Sequence, residues 1–192
     1  MKKAEIILFI LIIVAFAMKV MHLPYSSILI TFACMMLSML YMFFGFALLN
    51  GIRLRTMFKT ESYKNVSIFR ILAGITLGFV LSTMVVYCLF KVQFWPYGDQ
   101  GLFMSLVLFG VALLTIAIFY FLKRRVFFKI NRIRLVLIGM ISIGVYSLSN
   151  DSLVDMYYSN RPKYAKAYKD YLNHPGDPYY MKLLDEATQE RE

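Results

Sequence analysis

Apolar runs of membrane-spanning length are the feature that most constrains this chain. They cover residues 6–23, 28–49, 71–90 and 101–122, and a shorter run covers residues 135–149. A helix needs about 20 predominantly apolar residues to cross a bilayer. Since 60% of the 192 residues are hydrophobic, the chain is also richer in apolar residues than an ordinary soluble domain. The sequence therefore predicts an all-α membrane protein with about five transmembrane helices.

Basic residues cluster between these runs and predict the topology. Residues 51–70 contain five Lys or Arg side chains, and residues 123–134 contain six. Because short cytoplasmic loops carry an excess of Lys and Arg, both segments are predicted to lie inside. The N-terminus is then cytoplasmic and the C-terminus periplasmic, as in a multi-pass protein of a bacterial inner membrane. The net charge of +10 resides in such short clusters, so nucleic acid is not a predicted partner.

The predicted organisation has six parts. In chain order they are a first transmembrane hairpin, a basic cytoplasmic loop, a second transmembrane hairpin, a second basic loop, a fifth transmembrane helix and an extramembrane helical tail. They occupy residues 1–50, 51–70, 71–122, 123–134, 135–149 and 150–192. An alternative stays open at the start of the chain, because Ala15-Phe16-Ala17 fits the cleavage site of a signal peptide.

A short repeat links the two hairpins. Residues 19–25 read KVMHLPY and residues 91–97 read KVQFWPY, an offset of 72 positions at which Lys, Val, Pro and Tyr coincide. Proline cannot continue a helix, so in each copy it stops the outgoing span and begins the return. The repeat predicts two tandem hairpins that have the same orientation in the membrane.

Two interpretations of the repeated lysines stay open. Near the end of a span, Lys19 and Lys91 could reach headgroups and act as anchors. Alternatively, Lys19 and His22 are three residues apart on one predicted helix face and, with Lys91, form a candidate polar or proton site, because ionisable groups inside a membrane often mark ion paths. The predicted interfacial anchors are aromatic: Tyr25, Trp95 and Tyr97.

The tail after residue 150 has a different composition, with eight acidic against six basic residues. Helices are predicted on both sides of the HPGDP break at residues 174–178. Tyrosines recur along one face of the first of them, at Tyr164, Tyr168 and Tyr171. They either cover the core of the tail itself and rest at the bilayer surface, or form a candidate docking face for a partner.

The pattern Lys-x-x-His-x-Pro between two apolar runs resembles a known membrane hairpin. MKVMHLPY at residues 18–25, and the variant LFKVQFWPY at residues 89–97, resemble the N-terminal hairpin of GldL-like proteins, the L subunits of the gliding-motility and type IX secretion motor of Bacteroidota. The resemblance implies an inner-membrane protein whose hairpins pack around partner helices. In the motor it implies ion-driven rotation that uses a carboxylate in the second helix. Lys19 and His22 have counterparts in the pattern, whereas residues 28–49 and 101–122 contain no Asp or Glu.

Enzymatic motifs are missing from the sequence: it contains no HExxH, Walker loop or GxSxG. We therefore expect a non-enzymatic protein without a cofactor. Asp151 and Asp155 are four residues apart and are expected to lie on a solvated helix face, with a calcium site as the alternative. Glu5 is expected to neutralise its neighbours Lys2 and Lys3.

The leading hypothesis is an accessory or scaffold subunit that contacts the bilayer and other membrane proteins or a second copy of itself. The alternative is a proton- or ion-conducting protein related to the motor.

Overall fold

The computed structural model describes residues 2–64, 66–121 and 125–189, and within these ranges the chain is helical, with no β-strand. Eight α-helices occur in these ranges, and two short 3-10 turns lie between the second and third of them. The helices are α1 (Lys2–Val20), α2 (Ser26–Leu49), α3 (Ile68–Val92), α4 (Gly98–Phe121), α5 (Arg125–Ser147), α6 (Asn150–Tyr157), α7 (Pro162–Asn173) and α8 (Pro178–Gln189).

Three helices are long and apolar enough to cross a membrane. They are α2, α3 and the Gly98–Ile118 part of α4. The Asn131–Ser147 part of α5 is long and apolar enough to cross only when it is taken together with α6. The axes of these two helices are bent by 91° at the break between them. The all-helical prediction is therefore confirmed, with three membrane-suited helices, or four if the bent pair is one span. Five crossings remain a prediction.

The fifth helix differs most from its prediction. A loop was expected over residues 123–134 and a helix over residues 135–149, but α5 begins at Arg125 and ends at Ser147. Residues 123 and 124 of the expected loop lie outside the described residues. The predicted start of this helix was wrong because Lys and Arg interrupt an apolar run but not a helix. Both residues have a high helix propensity. After α5, Ser149 caps α6, and its hydroxyl accepts the Ser152 N–H at 3.1 Å.

The centre of the bundle is the contact between α2 and α3. Glycines bring the two backbones together: a Cβ added to Gly78 would lie 2.6 Å from the carbonyl oxygen of Tyr41, and one added to Gly45 would lie 2.8 Å from the Gly78 Cα. Small residues allow this close approach of two helices. Helix α1 packs on α2, α4 packs on α3, and α5 packs on both α3 and α4.

The two hairpins have their turns at the same end of the bundle. Turn 1 (residues 19–25) comprises the end of α1 and its link to α2, and turn 2 (residues 91–97) comprises the end of α3 and its link to α4. Gln93 in turn 2 donates a hydrogen bond from Nε2 to the backbone oxygen of Ser27 at 2.9 Å, next to turn 1. We call this end of the bundle the turn end.

The tail also begins at the turn end. Leu153 and Tyr157 of α6 are buried against Val92 at the end of α3. Pro162 occupies the first turn of α7, and α8 begins at Pro178 after the break at residues 174–178. Helices were predicted on both sides of this break. Each begins at a proline, which is favoured at the first helical position because the N–H group that proline lacks would have no partner within the helix.

Candidate functional site

Turns 1 and 2 have matching backbone conformations at positions 72 residues apart. His22 (φ 60°) and Tyr25 (φ 62°) are left-handed in turn 1, and Phe94 (φ 56°) and Tyr97 (φ 62°) are left-handed in turn 2. This region is uncommon for residues other than glycine, and for bulky side chains it stores strain. Both turns therefore hold two strained residues each, in the same order.

The hydrogen bonds of the turns match as well. In turn 1 the Leu23 N–H donates to the Met18 oxygen at 2.9 Å and the His22 N–H donates to the Lys19 oxygen at 3.1 Å. In turn 2 the equivalent bonds run from Trp95 to Phe90 at 2.8 Å and from Phe94 to Lys91 at 3.1 Å. A pair of bonds of this kind, around one left-handed residue, is the Schellman ending of a helix. Each proline follows this ending, where the helix has already stopped.

Lys91 is the buried centre of turn 2. Its side chain is 4% exposed, and Nζ lies 2.6 Å from Oδ1 of Asp99 and 3.0 Å from the backbone oxygen of Tyr146. Asp99, in the first turn of α4, also accepts a hydrogen bond from Asn150 Nδ2 at 3.1 Å. The lysine therefore joins α3, α4 and α5 and also satisfies a carbonyl in the last turn of α5, which has no helical partner.

Lys19 lies at the equivalent place in turn 1 and has different partners. Its Nζ donates to Gln93 Oε1 at 2.7 Å and to the backbone oxygen of Val92 at 3.2 Å, and it lies 4.5 Å from the centre of the Tyr157 ring. All of these are neutral groups. Both ammonium groups thus have partners within the protein, and the role of Lys19 and Lys91 as headgroup anchors stays a prediction.

His22 does not share a helix face with Lys19. Helix α1 ends at Val20, so His22 lies in the turn with a left-handed backbone, and the expected three-residue spacing on one face does not apply. Its ring is exposed, and Nε2 lies 3.4 Å from the Ser159 hydroxyl. Both side chains nevertheless line one open cleft of about 450 Å³ between turn 1 and the segment after α6, which we call the turn 1 cleft.

The aromatic residues of the turns point outward to different degrees. Tyr25 is 78% exposed, Tyr97 is 76% exposed and Trp95 is 41% exposed. Trp95 packs edge-on against Phe90, with 5.1 Å between the ring centres. Their placement at a bilayer interface stays a prediction, and their shared position at the turn end is compatible with it.

The tyrosines of α7 contact the protein itself. Tyr168 packs edge-on against Phe94 of turn 2 at 5.5 Å and against Tyr158 at 5.7 Å, and it stacks on Tyr164 at 5.8 Å. Tyr171 contacts Tyr168 at 6.4 Å. Burial raises the pKa of the Tyr168 phenol above its ordinary value, so this ring stays neutral. These contacts favour the first interpretation, in which the tyrosines cover the core of the tail, and the docking face stays a prediction.

A second buried polar network lies near the opposite end of the bundle and was not predicted. Arg134 of α5 binds Glu5 of α1 with two hydrogen bonds, Nε to Oε1 at 2.6 Å and Nη2 to Oε2 at 2.7 Å. The Tyr41 hydroxyl also donates to Glu5 Oε1 at 2.6 Å. Asn131 accepts from Arg134 at 3.2 Å and donates to the backbone oxygen of Leu49 at 2.9 Å, in the last turn of α2.

The described ion-pair partner of Glu5 is Arg134, which was not predicted, whereas the side chain of Lys2, one of the two expected partners, lies outside the described side chains. Glu5 is 5% exposed and Tyr41 is fully buried. The paired residues are 129 positions apart, so no local pattern could have joined them. The sequence indicates only that Glu5 needs a partner, because it is a lone acid at the start of an apolar helix and a buried charge must be paired.

The alternative calcium site also has a different arrangement. Asp155 pairs with Lys169 at 2.6 Å, and Asp151 is exposed. Within the part of the chain that the structure describes, no three His, Cys, Asp or Glu side chains come together to hold a metal ion.

Fold and site together define a helical protein with membrane-suited spans, whose two turns carry buried or half-buried lysines. Comparisons with protein-family models, with curated proteins and with solved structures give no match to this chain.

Proposed function

We propose that the chain is a scaffold or accessory subunit of the bacterial inner membrane, which packs against partner membrane proteins through its helices and its tail. The observation that carries the proposal is the outward face of α5. A Cβ added to Gly144 would meet nothing within 4 Å, and Gly144 and Ser147 are exposed one turn apart. Glycine weakens a helix by about 1 kcal/mol relative to alanine. A partner helix that approaches this face closely would gain from the missing side chain.

The other small residues of α5 already have contacts inside the bundle. A Cβ on Gly139 would lie 2.9 Å from the Phe109 ring, and the buried Ser142 hydroxyl lies 3.4 Å from the Cys88 sulfur. Gly139 and Ser142 therefore serve the packing of α5 on α3 and α4. Gly144 and Ser147 take no part in that packing, and we propose that they contact a neighbouring protein.

The charged side chains within the bundle support a structural role. Glu5 binds Arg134, and Lys91 binds Asp99, so each pair joins helices of this chain. A buried ion pair whose groups are also hydrogen-bonded fixes the geometry of the helices that it joins. We therefore expect a rigid frame that presents apolar faces to lipid and partners.

The proposed topology has a cytoplasmic N-terminus and a periplasmic C-terminus. The basic loop at residues 51–64 lies at the end of α2 that is remote from turn 1, and the basic start of α5 lies near the same end. Positive-inside retention of both segments would orient the turn end toward the periplasm. The tail and the turn 1 cleft would then also be periplasmic.

We also propose that the two hairpins are a tandem duplication. The support is the equal offset of three features: α1 and α3 end at Val20 and Val92, α2 and α4 begin at Ser26 and Gly98, and the left-handed residues follow the same spacing. The resemblance to the GldL hairpin stays a prediction.

The experiment for the scaffold role is copurification at native expression in a mild detergent. We expect the tagged chain to elute with a partner at a fixed ratio, or as a defined oligomer of itself. Gly144→Leu is expected to lower the yield of that partner without lowering the thermal stability of the chain. Gly110→Leu is the matched control, because a Cβ at Gly110 of α4 also meets nothing within 4 Å. A lone monomer would contradict the proposal, and so would equal partner yields for Gly144→Leu and the wild type.

Ion conduction is the second candidate, favoured by ionisable residues at two levels of the bundle. Lys19 and His22 line the turn 1 cleft, and the buried Glu5 lies roughly 22 Å away along α1 at 1.5 Å per residue. Proton or cation flux into liposomes that contain the purified chain tests it. Flux that Lys19→Ala and His22→Ala reduce would support conduction, whereas absent flux or flux unchanged by both variants would remove it.

A further inference from the structure

The two turns differ in one charge at an otherwise equivalent position. The first turn of α4 contains Asp99, which neutralises Lys91, whereas the first turn of α2 contains no acidic residue. The position 72 residues before Asp99 is Ser27. Lys19 has the same place in its turn as Lys91, but within the described residues its acceptors are the neutral Val92 and Gln93 oxygens. Turn 1 therefore lacks the carboxylate that turn 2 has.

The turn 1 cleft is open at the place where that carboxylate is missing. It has a volume of about 450 Å³ and is lined by Lys19, by Arg161 and by the start of α2, and among the described residues that line it none is acidic. Arg161 is exposed and adds a second positive charge.

The backbone at the start of α2 favours an anion as well. Its N-cap residue Tyr25 makes no side-chain hydrogen bond to the helix. The first backbone hydrogen bond of the helix runs from the Leu29 N–H to the Tyr25 oxygen, at 3.0 Å. The N–H groups of residues 26–28 precede it, and these residues line the cleft. Free N–H groups and the positive end of the helix dipole bind anions.

A residue with a buried, unpaired polar group lines the same cleft. Tyr157 lines it and is 4% exposed, yet within the described residues its hydroxyl has no hydrogen-bond partner. Leaving such a group unpaired costs about 1–3 kcal/mol, so it is expected to gain when a ligand or bridging water supplies an acceptor. This observation is independent of the helix start and of the charges.

From these features we infer that the turn 1 cleft binds a phosphate group, which replaces in turn 1 the carboxylate that Asp99 supplies in turn 2. Lys19 and Arg161 would contact its oxygens, the N–H groups of residues 26–28 would donate to it, and Tyr157 lines the same wall. The phosphate belongs either to an anionic lipid headgroup or to a soluble phosphate compound. This inference goes beyond the scaffold role and does not depend on any protein partner.

The sharpest variant is Ser27→Asp, because it gives turn 1 the carboxylate of turn 2. The Lys91–Asp99 pair at 2.6 Å shows that an acid at this position reaches the lysine eight residues earlier. The variant should fold and should no longer need the ligand. Ser27→Asn is the matched control, since it has nearly the same shape and no charge.

The probes are inorganic phosphate and lipid nanodiscs. Purified full-length protein in an uncharged detergent is titrated with phosphate at constant ionic strength, and thermal stability and calorimetric binding are recorded. In a second arm, the protein is placed in nanodiscs of phosphatidylcholine with or without phosphatidylglycerol, and the bound lipid is counted by native mass spectrometry. Since the chain has a net charge of +10, one added acid hardly changes its general attraction to anions.

We expect the wild type and Ser27→Asn to be stabilised by at least one of the probes, and Ser27→Asp to lose at least about tenfold in affinity for it. A response to phosphate in detergent assigns the site to a soluble compound, and a response confined to phosphatidylglycerol assigns it to a lipid headgroup. Equal binding by wild type and Ser27→Asp would overturn the inference, as would no binding of either probe. If Ser27→Asp fails to fold, Arg161→Gln decides instead: an affinity at least about threefold lower supports the site, and unchanged affinity overturns it.

Discussion

Turn 1 and turn 2 have the same backbone conformation, but their lysines have different partners. In turn 2, Lys91 is buried and bound to Asp99, and the unit is neutral. In turn 1, Lys19 is bound to neutral oxygens that belong to turn 2, and its charge is left without an acid in the described structure. The local backbone conformation therefore does not determine what the lysine does. One side chain, Asp99 or Ser27, decides whether the lysine has an acidic partner from the following helix.

The difference also assigns different structural roles to the turns. Turn 2 ties together helices of its own half of the molecule and α5, through the Tyr146 oxygen. Turn 1 reaches across to the other hairpin, because Lys19 binds Gln93 and the Val92 oxygen. Turn 1 thus depends on turn 2 for its partners, and we expect damage to turn 2 to spread further than damage to turn 1.

The largest expected effect comes from removing the acid of turn 2. Asp99→Asn leaves the buried Lys91 ammonium without its counter-charge, and we expect the free energy of unfolding to fall by about 2–3 kcal/mol, somewhat less than for a fully buried pair because Asp99 is 47% exposed. Chemical unfolding in mixed micelles measures this value. The control is Ser27→Asn at the equivalent position, where we expect a change within about 0.5 kcal/mol. Similar losses in both variants would show that the charge difference is unimportant.

A smaller effect is expected for the side chain that links the turns. Gln93→Leu removes the acceptor of Lys19 at 2.7 Å and the donor to the Ser27 oxygen at 2.9 Å. We expect a loss of about 1–2 kcal/mol in the same unfolding assay, since Lys19 keeps the Tyr157 ring but only one described hydrogen-bond acceptor, the Val92 oxygen. Met21→Leu, 72 residues earlier and 69% exposed, should be nearly neutral. A neutral Gln93→Leu would refute the proposed bridge between the turns.

The smallest effect tests the feature that the turns share. Tyr25 and Tyr97 both have φ 62°, which is costly for a residue with a Cβ. Tyr25→Gly and Tyr97→Gly should each raise stability in detergent by about 0.5 kcal/mol, because relief of strain exceeds the entropy cost of glycine. The alanine variants lose the ring and keep the strain, so they should not be stabilised. Opposite signs at the two positions would contradict the equivalence of the turns.

Local features of this fold were predictable from the sequence, and long-range ones were not. The presence of a turn after α1 and after α3 was predictable from Pro24 and Pro96, although both helices end before the proline, in Schellman endings that were not predicted. The placement of His22 on the helix face of Lys19 was wrong because α1 stops two residues before His22. The start of α5 was missed because hydropathy marks spans and not helices.

The polar contacts between helices were beyond the reach of sequence reasoning. Lys19 and Val92 are 73 positions apart, and Glu5 and Arg134 are 129 positions apart. Nothing in the neighbourhood of either residue indicates its partner, because any basic side chain could neutralise Glu5. The open cleft in turn 1 depends on these contacts and on the position of α6, so only the assembled bundle contains it.

The central claim is that both turns lie on the same side of the membrane, and side-specific cysteine labelling tests it most directly. In a chain whose Cys34 and Cys88 are replaced, single cysteines at Tyr25, at Tyr97 and at Lys59 in the basic loop are exposed to a membrane-impermeant maleimide in intact spheroplasts. We predict labelling at positions 25 and 97, and labelling at position 59 only after the membrane is opened. Labelling of position 25 and position 97 from opposite sides would contradict the account.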